Sequence, residues 1–107
     1  MSLAPPRLLA EAQLRARQGI DVLAAEMLAD KAASLGHQGR LVEAALARLR
    51  ASDGPAEERL RLVRAAAREV WAFLVQRELC GLRDQQEIIR LYGIPPEVLV
   101  RLGAMER

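Results

Sequence analysis

Cysteine, histidine and aromatic side chains are nearly absent from this sequence: one cysteine, one histidine, and one each of tryptophan, tyrosine and phenylalanine. A lone thiol, Cys80, can close no intramolecular disulfide and supports no cysteine-based zinc site. A reducing compartment is the simpler reading, so the expected address is cytoplasmic. His37 has no carboxylate at the Glu-x-x-His spacing of di-iron bundles, and no metal is expected. Set between Gly36 and Gln38, it reads as a solvated surface histidine. The serines, Ser2, Ser34 and Ser52, stand in no Gly-x-Ser-x-Gly context. Glycine-rich phosphate loops are lacking too. No catalytic residue, metal ligand or cofactor is therefore expected, and an enzyme is the weakest reading, since so few side chains can do acid–base work. Long apolar runs are also missing. Arg7, Glu11, Arg15 and Arg17 interrupt the first nineteen residues, which excludes a signal peptide or a membrane span there.

What is present is the material of an ordinary globular protein. The 107 residues are 51% apolar and 28% charged, enough for one core, and a single helical domain over 1–107 is expected. Arginine supplies the positive charge almost alone, with Lys31 the exception, a bias that fits a GC-rich bacterial genome. Sixteen basic residues against fourteen acidic ones leave a net charge of +2, so nucleic acid is not implied as a partner.

Proline and glycine cut the chain at Pro5-Pro6, Gly19, Gly54-Pro55, Gly81, Gly93 to Pro96 and Gly103, and the pieces between read as helices. Residues 1–19 are expected as an N-terminal arm with a short amphipathic stretch from Arg7 to Gln18. A long helix follows over 21–51, with Asp21 as its N-cap. Its seam is Ala25, Leu28, Ala32, Leu35, Gly39, Val42, Leu46 and Leu49. The seam stays in phase through Gly36 and Gly39, which favours a continuous helix over a hairpin turning at Leu35 to Gly39. Ser52 to Pro55 is a turn that supplies a cap for a second long helix over 55–80. That helix carries Val63, Val70 and Leu74 on one stripe and Trp71 on the next, with Phe73 in a segment apolar all round. Gly81 ends it, and Cys80 beside it is expected to be buried as a small hydrophobe. Two short helices fill 84–102, the first opened by Asp84 with Glu87 in capping-box spacing, the last opened by Pro95-Pro96 and closed by Gly103.

The expected architecture is all-α: a long antiparallel helical hairpin plus short terminal helices. The short helices can shield the Trp71 to Phe73 end, whereas the Val42 to Val63 end has no obvious cover. A second copy is the economical cover, completing a four-helix bundle as a homodimer. The residues expected to hold hairpin and partner together are Leu35, Gly39, Val42, Leu46, Val63, Val70, Trp71, Phe73 and Leu74. Folding back of the arm is the alternative.

Two patterns invite a nucleic-acid reading. Arg48, Arg50, Arg59, Arg61, Arg64 and Arg68 cluster about the turn between the long helices, but interleaved Glu57, Glu58 and Glu69 favour an ion-paired face. Residues 84–102 resemble a helix-turn-helix with Gly93 in its turn. Ile89 stands where that motif wants a small residue, and Pro95, Pro96 and Glu97 open the would-be recognition helix.

Gln18 to Leu23, Ala32 to Gly36, Trp71 to Glu78 and Tyr92 to Leu99 together resemble a family of small uncharacterised proteobacterial proteins, a domain of unknown function. The resemblance implies helices and brings no reaction, ligand or partner. The expectation is thus a non-enzymatic helical protein that self-associates or binds another protein, with nucleic-acid binding through 84–102 as the alternative.

Overall fold

A computed structural model describes residues 6–105, so the first five residues of the expected arm lie outside the described residues. The fold is all-α: α1 (Pro6–Ala51), α2 (Ala56–Leu79), α3 (Gln85–Tyr92) and α4 (Pro96–Met105). Asp21 caps nothing, because α1 already runs from Pro6. The reason is local: alanine, leucine, arginine and glutamate dominate 7–31, and Gly19 alone does not offset their helix preference. Gly36 and Gly39 lie inside the same helix.

Packing divides the chain into two units between Ala33 and Ser34. In the second unit, the end of α1 and α2 form the antiparallel hairpin. Gln38 of α1 donates through Nε2 to the Glu69 carbonyl at 3.0 Å and to Glu69 Oε2 at 2.8 Å. Val42, Leu46, Leu49, Val70 and Val98 are the largest fully buried side chains. Each such burial contributes about 1.5–3 kcal/mol. Ile88 of α3, Ile94 of the connection, and Val98 and Leu102 of α4 complete this core.

The short helices therefore cover the Val42 to Val63 end, which was expected to stay open. Two glycine turns produce that outcome. At Gly81 (φ 83°) and Gly93 (φ 61°) the chain enters the left-handed region that glycine tolerates without a Cβ clash. The bonds Leu82 N–H to Arg77 O (2.8 Å) and Ile94 N–H to Ile89 O (3.0 Å) close each helix end. The chain then reverses, and α4 lies against α2.

Gly39 has a packing reason of its own. A Cβ there would stand 2.8 Å from the Tyr92 hydroxyl and 3.5 Å from the Phe73 ring. Those two rings pack together above it, centroids 5.4 Å apart. A Cβ at Gly36 would meet only the Arg40 guanidinium, at 3.5 Å. Gly36→Ala should accordingly raise stability by about 0.5–1 kcal/mol through helix preference. Gly39→Val should lower it by about 1–3 kcal/mol through overpacking. Urea unfolding midpoints check both signs, and equal shifts in the same direction would refute the assignment of Gly39 to this contact.

Other ends differ in detail from expectation. Pro55 occupies the cap position of α2 with no side-chain cap bond, its carbonyl accepting from Arg59 N–H at 3.1 Å. Gly103 does not end α4, which continues to Met105. Cys80 is exposed, because it stands at the C-cap of α2 beyond the last buried turn. Asp84 does cap α3, accepting from Glu87 N–H at 3.3 Å. Asp84→Ala should cost about 1 kcal/mol, read as a lower melting temperature. A hydrogen bond between the Glu87 and Asp84 carboxyls, reinforced by their mutual repulsion when ionised, raises the Glu87 pKa above its ordinary value.

Candidate functional site

Of the nine residues expected to join the hairpin to a partner, Gly39, Val42, Leu46, Val63, Val70 and Phe73 are buried inside the second unit. Leu35 and Leu74 are half-buried and pack against the same core. Trp71 is 38% exposed and lines a surface groove of about 270 Å³ with Leu74, Leu99 and Leu102. These residues hold one chain together. They offer little free apolar surface to a second.

The arginine cluster disperses into separate tasks. Arg50 Nη2 donates to the carbonyls of Tyr92 (2.8 Å) and Gly93 (3.2 Å), satisfying the open end of α3. Arg59 pairs with Glu97 and Arg61 with Glu58. Arg64 and Arg68 line a groove of about 280 Å³ with Arg101. In the helix-turn-helix-like segment, α4 turns Val98 and Leu102 into the core. Its outward residues include Pro96, Val100 and Ala104, which carry no side-chain donor for base edges or phosphates.

His37 is exposed. Among the described residues, no group of three or more histidine, cysteine or carboxylate side chains is placed to hold a metal, and no helix is long and apolar enough to cross a membrane.

The second unit exposes Leu79, Leu91 and Val100 on separate elements, whereas the first exposes a longer run of apolar side chains on a single helix. Every described residue from Pro6 to Ala33 is exposed, and Leu8, Leu9, Leu14, Ile20, Val22, Leu23, Met27 and Leu28 are each between 53 and 67% exposed. Within this set a seven-residue repeat stands out. Leu9, Ala16 and Leu23 recur at one heptad position, with Gln13, Ile20 and Met27 at the other, which gives a narrow seam of period 3.5. The expected seam through Ala25, Leu28 and Ala32 runs along a different side of the helix. The Leu9 to Met27 repeat was legible in the sequence, but the Gly19 break and the expectation of a loose arm concealed it.

Over residues 1–107 the chain matches the family described as "Family of unknown function (DUF6665)". It belongs to that family. No curated protein and no solved structure matches it. Membership agrees with the resemblance read from Gln18 to Leu99, and the family's description assigns no reaction or ligand that the grooves would have to serve.

Proposed function

We propose that this protein is a non-enzymatic helical module that self-associates as a homodimer through residues 6–33 of α1. The observation that carries the proposal is the exposed apolar set on that segment. Monomeric proteins seldom expose contiguous apolar patches above a few hundred Å². Eight large side chains are each more than half exposed there, and four of them, Leu9, Ile20, Leu23 and Met27, share one face and form an apolar stripe along about five turns of helix.

A binding role fits the remaining features better than catalysis. The described grooves are shallow and lined by apolar side chains with scattered arginines and single glutamates, such as Glu43 beside Arg50 and Glu97 beside Arg59, and none holds a serine, cysteine or histidine beside a base. An exposed lone thiol at Cys80 suits a reducing, cytoplasmic setting, where it stays reduced.

Sedimentation equilibrium over a wide concentration range, at low and high salt, tests the proposal. A dimer that persists in high salt is expected, because apolar burial rather than exposed charge supplies most of the association. A monomer at every concentration would overturn it.

A further inference from the structure

We infer that two copies of the chain pair antiparallel along residues 9–27 of α1, around a two-fold axis beside Gln18 and Gly19. This rests on the self-association proposed above and adds to it an orientation and a register. Three features of the first unit lead to it independently.

The first is the spacing of the exposed seam. With the axis at residue 18, each side chain of one heptad position meets one of the other: Leu9 opposes Met27, Ala16 opposes Ile20, and Gln13 opposes Leu23. Large residues then face small ones at the centre, and the long Gln13 side chain reaches past Leu23 to water. Parallel, in-register pairing would set Ala16 against Ala16 and leave a gap in the middle of the seam.

The second is charge. Residues 7–17 hold Arg7, Arg15 and Arg17 against Glu11, while residues 21–31 hold Asp21, Glu26 and Asp30 against Lys31. Antiparallel pairing lays the basic stretch of each copy along the acidic stretch of the other. Parallel pairing aligns like with like. Packed helices stand about 8–10 Å apart, close to the Debye length at physiological salt, so screening leaves part of this preference in place. Each exposed charge adds little affinity, but together they select an orientation. Antiparallel helix dipoles act in the same sense.

The third is Gly19. Glycine inside a helix is unfavourable, yet nothing among the described residues lies within 4 Å of the place where its Cβ would be. Packing among the described residues thus gives Gly19 no purpose. In the antiparallel pair it flanks the axis and faces its own counterpart, where a missing side chain lets the two backbones approach.

Spin labels decide the matter in the full chain carrying Cys80→Ser, with single cysteines introduced as Arg7→Cys or Arg17→Cys, both at exposed positions. Residue 17 flanks the seam, and from the helical rise of 1.5 Å per residue antiparallel pairing puts the two residue-7 labels about 33 Å apart along the axis and the two residue-17 labels about 3 Å apart along it, on the same side of the pair. The expected result from double electron–electron resonance is a long distance at residue 7 and a short one at residue 17. Similar distances at the two positions mean parallel pairing, and a long distance at residue 17 with a shorter one at residue 7 means another register. Either would overturn this inference while leaving self-association intact. A monomer by sedimentation would remove both at once. Gly19→Leu supplies a second readout: it should weaken dimerisation at least tenfold without loss of helix, and an unchanged dissociation constant would count against the axis position.

Discussion

Ile20→Asp combined with Leu23→Asp should convert the associated protein to a monomer while the cooperative unfolding of residues 34–105 survives. Both side chains are more than half exposed in the single chain, Ile20 65% and Leu23 57%. A carboxylate at either place stays in water when the chain is alone, so it costs the fold almost nothing. In a seam against a second copy, each carboxylate would have to shed its water without a partner, at several kcal/mol. A weakening of dimerisation by more than about a hundredfold follows. Sedimentation equilibrium reads the assembly, and Trp71 fluorescence during urea unfolding reads the second unit. A double variant that still dimerises would place the interface elsewhere.

Leu46→Asp should do the opposite, unfolding the second unit instead of separating copies. Leu46 is 1% exposed at the centre of the hairpin core. The carboxylate would be buried beside Val42, Leu49 and Val63 with no donor in that cluster. The cost is about 4 kcal/mol or more, a large part of the 5–15 kcal/mol that holds a small domain. At roughly 4–8 °C per kcal/mol, the melting temperature should fall by about 15–30 °C. Leu46→Met keeps the volume and should cost less than about 1.5 kcal/mol. A Leu46→Asp protein that melts normally but sediments as a monomer would return the interface to the hairpin seam.

The contrast between these two substitutions marks where sequence reasoning reached and where it stopped. Helical periodicity located the residues of the hairpin core, because Val42, Leu46, Leu49, Val63 and Val70 repeat three and four apart, and the fold buries them for that reason. The stops at Gly81 and Gly93 were legible because each needs a left-handed residue. What periodicity could not supply was the identity of the covering layer. Whether α4 lies over Val63 or over Trp71 depends on the path set by two turns and on long-range contacts such as Arg50 to Tyr92. No local pattern encodes them. The seam was therefore expected to need a second copy, although Ile94, Val98 and Leu102 cover it from within. The task of Gly39 was misjudged in the same way, since it makes room for Tyr92, fifty-three positions away in the chain by number, and its small size says nothing of which side chain arrives. The exposed repeat from Leu9 to Met27 was readable, but a glycine at 19 and a proline pair at the start made that stretch look like an arm.

The continuity of α1 hides a difference in durability along its length. Its later turns are anchored by buried residues from Gln38 to Leu49, whereas every side chain in its first turns is exposed. Most of a helix's stability in a protein comes from tertiary packing of one face, which these first turns lack within the described residues. Amide protons before Ala33 should therefore exchange with solvent through small local openings, and those of the buried turns only when the whole second unit opens. One unbroken ribbon thus contains two clocks, and the proposed self-association predicts that the faster one slows as the concentration of the protein rises.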